Sequence, residues 1–384
     1  MDAIFDEEMP RARLAVLLKH FSQIDDEREP WRVVYPLAEV LLLMTCATIA
    51  ACDDFEDIVA WGEQHLDFLR RYAEFHFGIP CVRWLQTLVN RIDPVLFGRC
   101  FESWIKELWP DRHDLIAIDG KTSRRTHDKR KGLKALHTLS AYASNARLVL
   151  GQLSVPEKTN EITAIPELLD HLAETGQLKG ALVTIDAMGC QVAIAVEHQA
   201  DYLLALKGNQ PTLEAEVAEF FRSAPVQEVV GKTVVEKGHG RIETRTYTAS
   251  SKIDWIVSDR SYPGEPRFTH IKTIVKVDLL TEYPDQSTTF DTRLYISSAA
   301  LDIDRLANAV RGHWGVESMH WLLDVEFKDD LSRYRSGHGA KNMAIVRRFA
   351  LGLVRANKSK RSVKTRRKLA GWSLNYLLEL LQLK

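Results

Sequence analysis

Between residues 115 and 221 the hydrophobic period switches back and forth in an order that few folds accept. Three strand-like runs come first, LIAID, HTLSAYAS and RLVLGQLSV, separated by polar turns. A helix-period segment follows over Glu161–Glu174, then strand LVTID, helix CQVAIAVEHQ, strand DYLLALK and helix TLEAEVAEFF. On either side the pattern changes. Residues 1–110 read as helical through LAEVLLLMTCATIAA, FEDIVAWGEQHLDFLRRYAEF and two shorter amphipathic pieces after Pro80 and Pro94. From about 225 to 298, alternating runs rich in Thr, Val, Ile and Tyr take over, among them TVVEKG, RIETRTYTA, IKTIVKVDLL and TRLYISS. Helical period resumes near Asp302, through RGHWGVESMHW and AKNMAIVRRFALGLVRAN, before the basic run KSKRSVKTRRK, whose composition predicts a mobile tail.

Strand-strand-strand-helix-strand-helix-strand-helix is the order of a ribonuclease-H-like fold. The expected architecture is α/β, with a ribonuclease-H-like core over 111–224 and 299–355 and a β-rich insertion over 225–298. A helical N-terminal domain over 1–110 precedes them, and a basic C-terminal tail, 356–384, follows. The short N-terminal helices suit a DNA-reading helix-turn-helix and a brace or dimer contact equally well.

Two of the strand runs end on an aspartate, Asp119 in LIAIDGKT and Asp186 in ALVTIDAMG, and Glu317 lies in the helix-like RGHWGVESMHW. Ligand sites in mixed sheets gather at strand ends. Hard cations such as Mg²⁺ prefer carboxylate oxygens, and two ions roughly 3.5–4 Å apart stabilise both the attacking and the leaving oxygen of a phosphodiester. The three acids therefore predict a divalent-metal site for cutting and joining nucleic acid. A lone strand-end Asp is more often structural, because Asp favours turns and helix starts. Two in this topology, each followed by a small residue (Gly120, Ala187), shift the balance. For Glu317 the argument is its helix face, which it shares with His313, Trp321 and Asp324 at i−4, i+4 and i+7. Asp324, Glu326, Asp329 and Asp330 are reserve candidates for the third carboxylate.

At 384 residues the chain exceeds what one core usually organises, and 45% hydrophobic composition supports real cores. The net charge of −1 hides the basic run at 358–368, which holds no acid and would attract a polyanion. Five scattered cysteines, none in a C-x-x-C pair, exclude a disulfide scaffold and a zinc ribbon. The most apolar stretch, 37–52, is broken by Glu39 and too short for a comfortable span, so no membrane association and a cytoplasmic location are expected. GKTS at 120–123 ends like a phosphate-binding loop, yet the glycine needed at 115 is Leu115. Lys121 reads equally as a phosphate contact and as a solvated strand-end lysine. His239, in Gly-His-Gly between strand runs, reads as a turn.

The chain closely resembles DDE transposases of bacterial insertion sequences, the branch containing the H-repeat-associated, Rhs-linked proteins. The likeness runs through DFEDIVAWGEQHLDFLRRY, AIDGKTSRRTHD, VPEKTNEITAIPELLDHL, TIDAMGCQ, DYLLALKGNQP, GHGRIETR, YISSA and HWGVESMHWLLDVEFKDDLSRYR in fixed order. The resemblance implies Asp119, Asp186 and Glu317 as the catalytic metal-binding triad, two Mg²⁺ ions with Mn²⁺ as a substitute, and double-stranded DNA (element ends and target) as substrate. It implies hydrolysis at the element's ends, then attack of the freed 3′-OH on target DNA, by a homodimer on DNA. The expected DNA contacts are Lys121, Lys207, Asn209 and Gln210 around the acids and KGNQ, Arg241, Arg311 and His313, and Lys360, Arg361, Arg366 and Arg367 in the tail. Related cut-and-paste transposases carry Tyr, Arg and Lys around the third acid where this chain has Val310, His313 and Asp324. Ser318 replaces a frequent Asn, and His320–Trp321 arrive one residue early, a rotation of about 100° on a helix. A decayed copy that binds DNA without cutting it, and a nuclease that cuts without joining, are the alternatives on the same fold.

Overall fold

The computed structural model describes residues 8–381 except 25, 27, 30, 32, 109–114, 156–160, 186–196, 209, 239, 258–267 and 269. Strands β1 (Leu115–Ser123), β2 (Leu136–Ala143) and β3 (Leu148–Val155) form an antiparallel meander. Strands β4 (Leu182–Ile185) and β5 (Asp201–Leu206) add to β1 in parallel, completing the order β3-β2-β1-β4-β5 of a ribonuclease-H-like sheet. The unbroken apolar starts of β1 and β4, LIAI and LVTI, are buried throughout, as befits central strands covered on both faces.

The sheet does not stop at β5. The β-rich segment forms β6 (Val230–Gly238), β7 (Arg241–Ser250), β8 (Thr273–Glu282) and β9 (Thr288–Ser297), all antiparallel. β9 pairs with β5, so the insertion continues the same nine-stranded sheet. Between β6 and β7 the pair Gly238↔Arg241 leaves a two-residue turn, where Gly240 takes the positive φ of +73° that such hairpins need. His239 lies outside the described residues.

Helices α1 (Glu8–Phe21), α2 (Leu37–Ile49), α3 (Phe55–Gln64), α4 (Leu66–Leu69), α5 (Val82–Val89) and α6 (Pro94–Leu108) precede the sheet. The FEDIVAW stretch is not one helix: it breaks at His65, whose ring Nδ1 and backbone N–H both turn onto the Trp61 carbonyl. Helices α7 (Glu161–Glu174), α8 (Pro211–Ser223) and α9 (Asp254–Val257) lie between strands. Helices α10 (Ile303–Val325), α11 (Gly339–Ala356), α12 (Val363–Trp372) and α13 (Leu374–Leu381) close the chain. One hydrophobic core joins the N-terminal helices, β1–β3 and α11–α13, with α11 buried along most of its length. The N-terminal helices thus brace the sheet from one side. A smaller core lies between α10 and the extended sheet. Among the described residues no helix is long and apolar enough to cross a membrane.

The basic run does not leave the core as a loose tail. Ser362 caps α12, and Leu377, Leu380 and Leu381 of α13 are buried. Val363, Arg366, Arg367 and Ala370 recur at helical spacing on α12; Arg366, Arg367 and Ala370 among them are buried.

Candidate active site

Helix α10 lies along β1 and sets the site. Asp302 caps its start, accepting from the backbone N–H groups of Asp304 and Arg305. Where the helix comes closest to the sheet it carries glycine. A Cβ at Gly312 would sit 2.2 Å from Leu115 Cδ2, and one at Gly315 would sit 3.2 Å from the Tyr142 ring. Ser144 Oγ also donates to the Gly312 carbonyl at 2.9 Å. From there helix and strand advance together: Gly312 faces Leu115, His320 meets Asp119, and Asp324 meets Lys121. Eight helical residues rise about 12 Å and four strand residues about 13 Å, so the contacts stay in step.

Asp119 faces α10. Its Oδ1 accepts from the Gly120 N–H at 2.8 Å, and His320 Nδ1 lies 3.3 Å from its Oδ2. Burial pushes the Asp119 carboxyl up, but the His320 and Gly120 bonds outweigh it and hold the group below the usual carboxylate range. Burial pushes the His320 ring down, against the pull of the Asp119 carboxylate beside it.

Glu317, one turn before His320, opens onto a cleft of roughly 500 Å³ lined also by Thr184, Ile185, Lys207, His313 and Trp314. His313 Nδ1 pairs with Thr184 Oγ1 of β4 at 2.9 Å. The β1–β4 register ends at Ile118↔Ile185, one residue short of Asp119 and Asp186 in the sequence. Asp186 and Asn209 lie outside the described residues. The structure thus brings Lys207, His313 and Glu317 to one cleft, while Gln210 is buried at the start of α8. A second groove, of about 480 Å³, shares Arg293, Tyr295, Val310 and Trp314 with this cleft and runs over β6–β9 past Arg241, Arg245 and Arg311. Arg241 is paired with Glu243 and Arg311 with Glu236.

Three expected DNA contacts are placed elsewhere. Lys121, on the same face of β1 as Asp119, is buried among Asp324 at 2.6 Å, Asp329 at 3.2 Å and Asp330 at 3.3 Å, so its charge is spent inside the protein. The same contacts occupy three of the reserve carboxylates. Asp329 is 1% exposed and also takes Arg347 at 3.0 Å and Ser123 Oγ at 2.7 Å; burial is outweighed by Arg347, Arg348 and Lys121, which hold it far below the usual range. Arg366 donates to the Val354 and Ser359 carbonyls, and Arg367 to the Thr48 and Glu326 carbonyls and to Asp53. Lys360 and Arg361 remain exposed, as do Lys364 and Lys368.

The space beside Gly120 is filled by protein. A Cβ there would lie 2.4 Å from Glu161 Oε1 and 2.6 Å from His137 Nε2, and these two pair at 2.6 Å on the face opposite Asp119. Thr122 completes the set through His137 Nδ1 at 2.8 Å. The trio carried no local sequence signal, and the spacing that singled out His320 did not point to Asp119, since each contact forms across different elements.

The profile described as DDE_Tnp_1-associated matches residues 18–105, and the profile described as Transposase DDE domain matches 110–353. The chain belongs to the DDE transposase family. It is 36% identical over 379 residues to the H repeat-associated protein YhhI of Escherichia coli K12, covering 96% of this chain and 98% of that one. YbfD of the same strain, also H repeat-associated, is 40% identical over 253 residues, 64% of this chain and 97% of its own. A solved synaptic complex of the piggyBac transposase with hairpin DNA aligns over 96% of this chain and 81% of that chain, with a TM-score of 0.41 and 11% identity, a likeness that carries no information on activity.

The family implies a divalent metal. Among the described residues no group of three His, Cys, Asp or Glu side chains is placed to hold one. The donors present fit a hard cation: the Asp119 carboxyl is held below its usual range and is 29% exposed, with the Gly120 N–H on Oδ1 and the His320 ring beside Oδ2, and Glu317 is exposed at the cleft. A carboxylate offers about four lone-pair sites, so Asp119 keeps capacity to coordinate.

Proposed function

We propose that this protein is an insertion-sequence transposase that hydrolyses the phosphodiester at the element's ends and joins the freed 3′-OH to target DNA, with Asp119, Asp186 and Glu317 holding two Mg²⁺ ions. The observation that carries the reading is the geometry of α10: it carries Glu317 and, one turn on, the His320 ring that lies 3.3 Å from Asp119 of β1. Bound ions would supply an activated water and stabilise the oxygens of the displacement. The protein's own residues orient the reactants. Lys207 and His313 line the cleft beside Glu317, and the groove past Arg241 and Arg311 gives duplex DNA a path over β6–β9. Exposed Lys360, Arg361, Lys364 and Lys368 add phosphate contacts, and two copies act on the two ends.

The test is cleavage of the gene with its native flanking DNA. Wild-type protein should cut at the element's ends with Mg²⁺ and not with chelator. Asp119→Asn, Asp186→Asn and Glu317→Gln should each lose cutting by at least about 100-fold, while retaining DNA binding. Cleavage retained by all three variants would reject the reading. Joining of pre-cut ends to a target plasmid separates it from a nuclease.

A further inference from the structure

We infer that His320 is a positioning residue that fixes the Asp119 carboxylate for metal binding through its Nδ1, which lies 3.3 Å from Oδ2. The inference rests on the reading of Asp119 as a metal ligand. Asp119 can only accept; the Gly120 N–H takes Oδ1 at 2.8 Å, and His320 Nδ1 lies 3.3 Å from Oδ2, within reach of a donated N–H. The far nitrogen, Nε2, is buried and has no hydrogen-bond partner among the described residues, so Nδ1 is the nitrogen the ring offers to Asp119.

The neighbourhood shows that His320 is not needed to seat the helix. Gly312 against Leu115 lies two turns before it, and Asp324 with Lys121 lies one turn after it. These contacts fix the phase of α10, leaving His320 to set the direction of the carboxylate. A ligating carboxylate held by two N–H donors has lost its rotation before the ion arrives, and outer-shell bonds of this kind are worth about 10–100-fold in metal affinity or activity.

The test uses the full-length protein with His320→Asn, His320→Gln and His320→Leu. Asn presents its amide nitrogen at the distance of Nδ1 from the backbone, Gln at the distance of Nε2, and Leu fills the volume without a donor. Mn²⁺ affinity is read by titration calorimetry without DNA, alongside the cleavage assay and a thermal melt confirming the fold. Gln and Leu should weaken Mn²⁺ binding and slow cleavage by about 10–100-fold, with Asn close to wild type. Equal affinities across the three variants, or Leu and Gln better than Asn, would make His320 a core filler and overturn the inference. Asp119→Asn separates the two levels. If it weakens Mn²⁺ binding and the His320 variants do not, only the inference fails. If it leaves Mn²⁺ binding untouched, or the wild type binds no Mn²⁺, the assignment of Asp119 fails and the inference with it.

Discussion

Lys121→Met offers the sharpest check on the buried charges beside the candidate site. The substitution keeps most of the side-chain stem and removes the ammonium that lies 2.6 Å from Asp324, 3.2 Å from Asp329 and 3.3 Å from Asp330. Breaking one partner of a buried ion pair costs about 3–5 kcal/mol, because a buried charge is left uncompensated. Two features favour the low end here. The Asp324 and Asp330 side chains are 33% and 24% exposed and can recruit water, and Asp329 keeps Arg347 and Ser123. The expected loss is therefore about 3 kcal/mol, read as a lower urea midpoint at unchanged slope. Salt-dependent DNA binding supplies the opposing measurement. A lysine caged by three aspartates leaves the log–log slope unchanged, whereas a phosphate contact contributes about 0.9. A stability loss below about 1 kcal/mol, together with a slope reduced by about 0.9, would refute the cage.

Four further outcomes follow from other contacts. Neutralising Lys360, Arg361, Lys364 and Lys368 should weaken DNA binding and flatten its salt slope by about 0.9 per lost contact without changing stability. Arg367→Ala should instead lose about 3 kcal/mol in urea unfolding, since its guanidinium bonds the buried Thr48 carbonyl, the half-buried Glu326 carbonyl and Asp53. Gly312→Ala gains about 1 kcal/mol of helix propensity but drives a methyl against Leu115, so melting should fall by an amount corresponding to about 1–3 kcal/mol; a rise would reject the close approach of α10. The His171 ring is raised by its bond to Glu102, against burial. Its contribution is complete below the unfolded value near about 6.5 and is lost as pH rises through the higher folded value, so the stability difference between wild type and His171→Gln should shrink from pH 6 to pH 9. A difference independent of pH would show that the pair does not titrate as described.

Local periodicity carried the central sheet, because β1–β5 are short apolar runs bounded by polar segments, and α7 occupies the 161–174 span read from the sequence. What it could not carry was pairing at long range. Lys121 looked like a strand-end lysine because its acids lie about 200 residues downstream. Arg366 and Arg367 looked solvated because their neighbours are basic, although positions 363, 366, 367 and 370 already followed a helical stripe. Gly120 was read as room for a ligand, and the room is taken by Glu161 and His137 from two other elements. At the candidate site, the acids were legible as types at strand ends and on a helix. The imidazole over Asp119 was not, because its place depends on how closely α10 approaches β1.

Strand β9 has two lives along its length. Residues 294–297 pair with β5 in the middle of the molecule, whereas 288–293 run out beside β8 towards solvent. The outlying hairpins hang from a strand whose inner half is already clamped. Lengthening or shortening the turns after Gly238 and Glu282 disturbs no pair between β5 and β9. Those tips are natural graft points: a fluorophore, an epitope or a foreign DNA-reading module attached there would ride on a stiff arm. Their distance from Glu317 then sets how far from the cleft such a graft would sit.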